Sequence, residues 1–331
     1  MFRPVASSRR PALLAVALFA TALPAQADWI RRQENIMGTV CAVELWSADV
    51  AEGEAAIASV FGDMHRIDEL MSTYKDTSEI SRVNAEAAMK PVVVSQELFD
   101  LVATSIQYSR LSKGAFDITY ASVGYLYDYR RHQHPDDAAI ARALPGVDYR
   151  NLILDPAARS IRFGRPGMRI DLGGIAKGHA VDRGIALLQA RGIGRAMVNA
   201  GGDTRIIGDR FGKPWVIGIR HPDRKDQVVL RLPLTDAAFS TSGDYERFFD
   251  EGGVRYHHII DPKTGRSPHA VRSVTIVAST ATRTDGLSKT VFILGPEKGI
   301  AFINAQPDAD AIVVAADGKV TYSKGLAPPA P

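Results

Sequence analysis

The sequence has almost no cysteine, no apolar run long enough to span a membrane, and little excess of either charge. Cys41 is the only cysteine among 331 residues, which excludes an internal disulfide and leaves stability to a packed core. The most apolar stretch, residues 11–23, is too short for a transmembrane helix. The formal net charge of +3 equals the three arginines of residues 1–27. The remainder is therefore neutral (3 − 3 = 0), and it offers no electrostatic basis for binding nucleic acid.

Residues 1–27 have the features of an export signal. Arginines form a positively charged start, an apolar stretch follows, and Ala25-Gln-Ala27 fits cleavage after small residues. The Arg9-Arg10 pair is typical of a twin-arginine signal and equally typical of a general basic start. No cysteine lies at the cleavage site to carry a lipid anchor. We therefore expect a periplasmic protein that begins at Asp28 and does not span the membrane.

Helix-like and strand-like patterns alternate irregularly along the rest of the chain, and no internal repeat or clear linker separates them. This arrangement favours one mixed α+β domain, over residues 28–324, rather than a doubly wound parallel sheet. Residues 71–84 are predicted to form a polar loop, and residues 325–331 a disordered tail. The predicted helices cover 50–71, 95 to about 114, 175–188, 282–292 and 296–304. The predicted strands cover 36–46, 152–154, 161–163, 170–172, 196–200, 215–219, 228–232, 237–241, 255–260, 274–278, 311–314 and 320–322.

The stretch from 169 to 182 joins a strand-like segment to a helix-like one through Gly173-Gly174. The free backbone N–H groups of such a turn suit an anion, most often a phosphate. Asp171 and Lys177 flank the glycines, so a carboxylate, a cation and bare backbone occur close together. An ordinary strand–helix connection has the same pattern. A second glycine pair, in Asn199–Asp203, strengthens the case for a phosphate-bearing ligand, although neither pair has the spacing of a dinucleotide-binding fingerprint.

Two later segments carry candidate acid–base and metal-binding groups. His258 and Asp261 lie where a strand-like run gives way to a turn, so they can transfer protons or simply satisfy turn hydrogen bonds. Asp285 falls in the first turns of a predicted helix. There it is either a partner of the helix dipole or a hard oxygen ligand that holds Mg²⁺ against a phosphate.

A series of short motifs, spread from residue 37 to about 295, resembles the ApbE-like FAD:protein FMN transferases. Each motif is weak by itself, but their number and order make the resemblance specific. The motifs are Met37-Gly-Thr39, Ser72-Thr-Tyr74 with Ser78-Glu79 and Ser81–Asn84, Gly114–Asp117, Asp171–Gly178, Asn199–Asp203, Ser240–Gly243, His258–Pro262 and Asp285–Ser288.

The resemblance implies a single ApbE-like domain with central, mostly antiparallel sheets packed against helices. It implies an Mg²⁺-dependent enzyme that cleaves the pyrophosphate of FAD, attaches FMN through a phosphoester to a Thr or Ser of a partner protein, and releases AMP. The implied partners are flavoprotein subunits of membrane electron-transfer complexes. These include the Rnf type, sodium-pumping NADH:quinone reductases and the nitrous-oxide-reduction type.

The resemblance also implies roles for individual residues. His258 is similar to the family's catalytic histidine, and Asp285 to a metal ligand that is essential for catalysis. Gly174 is a further metal ligand through its carbonyl group. The implied FAD contacts are Met37, Tyr74, Ala115, Phe116, Asp117, Asp171, Lys177 and Ile260.

One position departs from the family pattern. The family usually has a ligating Thr four residues after the helical Asp, and this chain has Lys289 there. A charged lysine cannot bind Mg²⁺, so Ser288, Thr290 or water would have to complete the site. Lys289 could instead contact a phosphate directly.

Two further functions are compatible with the same residues. With water as the nucleophile, the site would be an FAD pyrophosphatase that gives FMN and AMP. The departure at Lys289 motivates a non-catalytic alternative, a periplasmic flavin-binding accessory protein. Release of AMP without an acceptor would indicate the pyrophosphatase, and FAD binding without any AMP would indicate the accessory protein.

Overall fold

The computed structural model describes residues 27–222 and 227–326. The predicted export signal therefore lies outside the described residues, except for Ala27. Within these ranges no helix is long and apolar enough to cross a membrane. The helices are α1 (Val50–Met71), α2 (Glu79–Glu86), α3 (Gln96–Leu111), α4 (Ala121–Gly124), α5 (Asp137–Ala143), α6 (Ala176–Ala190), α7 (Ala281–Leu294) and α8 (Pro296–Ile303). The strands are β1 (Asp28–Ile36), β2 (Thr39–Ser47), β3 (Val92–Val93), β4 (Leu152–Asp155), β5 (Ser160–Phe163), β6 (Ala196–Ala200), β7 (Asp203–Ile207), β8 (Trp215–Arg220), β9 (Val228–Leu234), β10 (Ala238–Gly243), β11 (Phe248–Glu251), β12 (Val254–His257), β13 (Val271–Ala278), β14 (Ala309–Ala315) and β15 (Val320–Tyr322).

An 8-stranded sheet in the order β1-β2-β6-β7-β10-β13-β14-β15 forms the frame of the fold. All of its strand pairs are antiparallel. Smaller antiparallel sheets are formed by β3-β5-β4, β8-β9 and β11-β12. Helices α1, α6 and α7 pack on the large sheet and α6 contacts both of the others. The predicted α+β class with mostly antiparallel sheets is confirmed.

The main apolar core lies where α1 and α6 meet the first strands of the large sheet. Val60 and Met64 of α1, Ile185 of α6 and Val198 of β6 are fully buried in it. Burial of such a side chain contributes about 1.5–3 kcal/mol. Helix α1 has the predicted bounds, because its apolar residues recur on one face and Asp49 caps its N-terminus, accepting from the Ala51 N–H at 2.8 Å.

Two local predictions are wrong. The predicted polar loop contains α2, whose N-terminus is capped by the Ser78 hydroxyl and whose Ile80 is fully buried. The predicted strand 170–172 belongs to none of the sheets among the described residues. Its backbone is held by other contacts: Asn84 Oδ1 accepts from the Ile170 N–H at 2.7 Å, Asn84 Nδ2 donates to the Ile170 carbonyl at 2.9 Å, and the Asp171 N–H donates to the Ile118 carbonyl at 3.0 Å. A side chain can replace a neighbouring strand in this way, and the apolar pattern does not reveal it.

The chain is ordered slightly past the predicted end of the domain. Gly325 and Leu326 lie in a turn, and the Leu326 N–H donates to the Ser323 carbonyl at 3.1 Å. Leu326 also packs against the apolar cluster that contains Ile312. These two residues therefore do not belong to a disordered tail. Residues 327–331 lie outside the described residues.

Candidate active site

The turn at Gly173-Gly174 leads directly into α6, and Asp171 is fixed beside it. Asp171 Oδ1 accepts from the Gly173 N–H at 2.6 Å, and Oδ2 accepts from the Thr73 hydroxyl at 2.8 Å. The Tyr120 hydroxyl lies 3.3 Å from Oδ1. These contacts hold the carboxylate in one orientation at the turn, where sequence reasoning placed it.

Lys177, in the first turn of α6, reaches back over the glycine turn. Its Nζ donates to the Gly173 carbonyl at 3.0 Å and lies 3.3 Å from Oδ2 of Asp203. Burial opposes the charge on Lys177, but the nearby carboxylates of Asp285 and Asp203 raise its pKa. The ammonium group of Lys177 therefore remains charged at the N-terminus of α6.

The second glycine pair has a structural function. It forms the hairpin between β6 and β7, and Gly201 has a φ of +63°. A Cβ on Gly202 would lie 2.4 Å from the Thr241 carbonyl oxygen, so only glycine allows β10 to come this close. This pair therefore has a structural reason to be glycine, and it places Asp203 at the site.

Asp285 is fully buried on α7 and joins that helix to α6. Its Oδ2 accepts from the Gly178 N–H at 3.1 Å, and its Oδ1 accepts from the Lys289 ammonium one turn later. A Cβ on Gly178 would lie 2.3 Å from the Ala281 carbonyl oxygen, so this glycine is what allows the two helices to touch. Burial raises the pKa of Asp285, but the charges of Lys177 and Lys289 outweigh it and the net shift is downward.

Two buried carboxylates and two lysines thus form one group, which we call the acid–lysine cluster: Asp203, Asp285, Lys177 and Lys289. Burial and the neighbouring Asp285 raise the pKa of Asp203, although both lysines act against this rise. Gly174 lies beside the cluster, since a Cβ on it would be 3.6 Å from Lys289 Cγ and 3.4 Å from Phe116 Cε2. The fold therefore brings together groups that are more than a hundred positions apart in the sequence.

His258 is half-buried, and it lies close enough to the cluster for the charges of Lys289 and Lys177 to act on it. Its Nδ1 atom is buried and has no hydrogen-bond partner among the described residues. Burial, followed by the charge of Lys289, lowers the pKa of His258 to about 3. The imidazole is consequently neutral near pH 7, as a general base must be before it accepts a proton, but a pKa this low also makes it a weak base in the ligand-free protein.

Comparison with known proteins decides the family. A family model described as the ApbE family matches residues 37–313. The chain belongs to the ApbE family. An FAD:protein FMN transferase of Treponema pallidum is 35% identical over 314 residues, which cover 89% of this chain and 87% of the relative. The ApbE protein of Thermotoga maritima is 33% identical with a TM-score of 0.84, and the flavin transferase ApbE of Vibrio cholerae is 30% identical with a TM-score of 0.81. Each alignment covers 90% of this chain and 98% of the solved one.

The FAD contacts implied by the ApbE resemblance fall into two groups. Met37, Tyr74, Asp171 and Lys177 border the site, and Tyr74 is 83% exposed, which leaves its ring free to stack on a flat ligand. Met37 lies in the β1–β2 turn with a φ of +55°. These positions suit contact with a bound dinucleotide.

The second group supports the fold through its side chains. Asp117 is buried, and its oxygens accept from the Thr119 N–H at 2.8 Å and the Tyr149 N–H at 2.9 Å. Ala115 and Phe116 are buried in the same segment, and Ile260 packs in a separate apolar cluster. The carboxylate of Asp117 is thus held by the backbone of its own segment and of Tyr149, while the Phe116 ring lies beside Gly174.

Arg247 is a site residue that sequence reasoning missed. Its Nη2 donates to the Gly38 carbonyl at 3.2 Å, and its own carbonyl accepts from the His258 N–H at 3.1 Å. Its guanidinium is also among the charges that lower the pKa of His258. Arg247 thus joins the Met37 turn to the catalytic histidine of the resemblance. It stands in an irregular polar segment, and no spacing or motif there indicates its position.

The implied metal ligands are placed unevenly. Ser288 Oγ lies 2.8 Å from Ser242 Oγ and donates to the Asp285 carbonyl at 2.8 Å, so it joins α7 to β10. Thr290 donates to the Gly286 carbonyl at 3.1 Å. It lies about 140° around the helix from Asp285, since each residue advances roughly 100°. Thr290 is therefore turned away from the Asp285 carboxylate, whereas the Lys289 ammonium contacts both that carboxylate and Ser288 Oγ, the latter at 3.4 Å.

The remaining oxygen donors suit Mg²⁺ in kind. Within residues 27–222 and 227–326 no three His, Cys, Asp or Glu side chains group as a metal site. Mg²⁺, however, usually takes only one or two carboxylates and completes its shell with water and substrate phosphates. Asp285 and the Gly174 carbonyl fit that pattern. The ion would have to compete for Asp285 with the ammonium of Lys289.

Proposed function

We propose that this protein is an FAD:protein FMN transferase that cleaves the pyrophosphate of FAD, joins FMN to a Thr or Ser hydroxyl of a partner protein, and releases AMP. The observation that carries the proposal is the convergence of three distant elements: the Gly173-Gly174 turn, the acid–lysine cluster and His258. Membership of the ApbE family supports the same activity, since relatives at 29–35% identity bear this name.

The first requirement of the reaction is to hold and neutralise a diphosphate. The N-terminus of α6 supplies the positive end of its dipole, which attracts phosphate oxygens. The N–H groups of Gly173 and Gly178 already donate to Asp171 and Asp285, so the attraction rests on the dipole and the charged side chains. Lys177 adds an ammonium group at the same end of the helix, and Arg247 adds a guanidinium from the rim. Asp171, fixed beside the turn, can accept hydrogen bonds from hydroxyl or amide groups of the flavin nucleotide.

The second requirement is to activate the acceptor hydroxyl. Neutral His258 would accept its proton, and the oxygen would attack the phosphorus on the FMN side of the pyrophosphate. A phosphoester bond forms, the bond from that phosphorus to the bridging oxygen breaks, and AMP leaves with the bridging oxygen. Proton transfer of this kind contributes about 10²–10⁴-fold to a rate.

The third requirement is to stabilise charge on the phosphates during transfer. Asp285, with the Gly174 carbonyl, would hold Mg²⁺, which neutralises charge on the diphosphate oxygens when it is bound. The role of this chain is to keep Asp285 ionised although it is fully buried. The lysine charges that lower its pKa accomplish this.

We further propose that the protein acts in the periplasm on a flavoprotein subunit of a membrane electron-transfer complex, of the Rnf, sodium-pumping NADH:quinone reductase or nitrous-oxide-reduction type. The export features of residues 1–27 and the ApbE resemblance support this location and this partner class.

The test is to incubate the chain from Asp28 with FAD, Mg²⁺ and a flavin-accepting domain. We expect a fluorescent flavin band that survives denaturing electrophoresis, one AMP per flavin attached, and no band when the acceptor Thr or Ser is replaced by Ala. Rapid AMP release without an acceptor would instead indicate the pyrophosphatase. Tight FAD binding without AMP, at any Mg²⁺ concentration, would indicate the flavin-binding accessory protein.

A further inference from the structure

We infer that the ammonium group of Lys289 is a built-in cation for Asp285 and competes with divalent metal ions for this carboxylate. When no metal ion is bound, the ammonium balances the buried negative charge of Asp285 and so stabilises the folded site. The inference deepens the proposed function, on which it rests for the role of the metal. It predicts a protein with unusually weak affinity for divalent ions, whose affinity rises when the ammonium is removed.

The contacts of Asp285 carry the first step. One carboxylate oxygen accepts from the Gly178 N–H at 3.1 Å and the other from the Lys289 ammonium. The carboxylate itself is fully buried, whereas 19% of the Lys289 side chain is exposed. The part of this ion pair that solvent reaches therefore belongs to Lys289 and not to Asp285.

The charge balance of the cluster carries the second step. Asp203 and Asp285 supply two negative charges, and Lys177 and Lys289 supply two positive ones, so the cluster is neutral as it stands. A divalent ion added to this arrangement would leave two uncompensated positive charges in a largely buried place, which is costly. Without the ammonium of Lys289, the cluster would carry one net negative charge, and a divalent ion would be attracted.

The nature of the side chain carries the third step. A lysine is a compact point charge on a flexible stem, so it can leave one partner for another more easily than an arginine fork. Lys289 Cγ is also close to Gly174, whose carbonyl is the other candidate ligand. The Lys289 ammonium thus contacts one of these candidate ligands, and its stem passes beside the residue that carries the other.

The test measures Mn²⁺ binding to the chain from Asp28 in the absence of FAD and acceptor, by titration calorimetry and by the electron paramagnetic resonance signal of free Mn²⁺. Lys289→Met removes the ammonium without adding an oxygen ligand, and Lys289→Thr removes it and adds a hydroxyl. Lys298→Met, at an exposed position of α8, is the matched control for loss of one positive charge.

We expect millimolar affinity in the unaltered protein, at least tenfold tighter binding in Lys289→Met and Lys289→Thr, and no change in Lys298→Met. Micromolar binding by the unaltered protein that Asp285→Asn abolishes would overturn the inference. So would a Lys289→Met variant that is folded and binds Mn²⁺ no more tightly than the unaltered protein.

Thermal unfolding gives a second readout for variants of low stability. Because a ligand of the native state stabilises it by mass action, Mn²⁺ should raise the Tm of Lys289→Met by several degrees more than that of the unaltered protein. Equal shifts would count against the inference. None of these measurements depends on flavin transfer, so absence of transfer would contradict the proposed function while the Mn²⁺ affinities would still decide the role of Lys289.

Discussion

Helix α6 carries two charged clusters on different faces, and they are built in different ways. At its N-terminus lies the acid–lysine cluster. Further along, Arg183 binds Asp63 through two nitrogens, at 2.7 and 3.2 Å. Arg66 of α1 binds Glu97 of α3 in the same two-point manner, at 2.6 and 3.1 Å. We call this second group the acid–arginine cluster. It ties α1, α3 and α6 together.

The comparison shows that similar charged groups can either hold helices together or form a site that exchanges its contacts with a ligand. In the acid–arginine cluster, burial acts against ionisation of Asp63, but its two arginine partners lower its pKa. The arginine side chains are 40–45% exposed, so solvent screens these pairs and their net contribution is small. In the acid–lysine cluster the carboxylates are buried and held by single-point lysine contacts. The two-point arginine–carboxylate pairs hold the helices together in a fixed geometry. The buried carboxylates are held by single lysine contacts, which can be exchanged for contacts with a ligand.

The largest expected difference between the two clusters is in the effect on flavin transfer when one carboxylate is removed from each. Asp285→Asn should lower flavin transfer at least 100-fold, because the buried charge that would hold the metal is lost, while FAD binding changes little. Glu97→Gln in the acid–arginine cluster should leave transfer within about twofold of the unaltered protein and lower stability by about 1 kcal/mol. Initial rates of AMP release and FAD titrations measure both. Equal losses of FAD binding and rate in Asp285→Asn would contradict this assignment.

A smaller effect is expected at His258, beside the acid–lysine cluster. His258→Gln should lower the transfer rate about 10²-fold with little change in FAD affinity, because the proton acceptor is lost. The neighbouring His257 is the matched control. It is buried and its Nε2 lies 2.8 Å from the Pro268 carbonyl, so His257→Gln should affect stability rather than rate. An unchanged rate in His258→Gln would remove this residue from the mechanism.

The pKa of His258 also sets a pH dependence of stability. Its folded pKa of about 3 lies below the ordinary value of 6.5, so the unfolded chain binds the proton more readily. The contribution to stability is complete above pH 6.5 and is lost as the pH falls towards 3, by at most about 1.4 kcal/mol per pH unit. Urea unfolding should therefore show that the free energy of unfolding falls less between pH 7 and pH 5 in His258→Gln than in the unaltered protein.

The smallest effect should follow from exchanging the cation type in the acid–arginine cluster. Arg183→Lys keeps the charge but loses the two-point contact with Asp63, and should cost about 0.5–1 kcal/mol without changing transfer. Thermal unfolding and the transfer rate measure the two parts. A large loss of transfer would show that this face of α6 contributes to the site, and the contrast between the clusters would fail.

The sequence was informative where the signal is local. Helix α1 has an unbroken apolar stripe and a capping Asp49, so both its type and its bounds were predicted. The glycine turn, Lys177 and Asp285 were predicted as site residues because motifs in a fixed order carry them. Confirmation of the family and fold does not test their individual roles, which stay predictions.

The remainder depends on contacts between distant segments. Asn84 replaces a neighbouring strand for Ile170, and no periodicity reports such a side-chain contact. Arg247 lies in an irregular segment, and only folding brings it to Gly38 and His258. The bond between Lys289 and Asp285 fits helical spacing, but from the sequence only a phosphate was named as a partner of this lysine.

Asp182 offers a last consequence. Its carboxylate, on α6, accepts from the Ala281 and Thr282 N–H groups at 2.9 and 2.8 Å, so it caps α7 from another helix. With the Gly178–Asp285 hydrogen bond, this gives α6 and α7 two points of attachment. Separating α6 from α7 would break both attachments. The segment around exposed Tyr74 and the exposed side chain of Arg247 are free of this constraint, so a change of shape at the site costs least there.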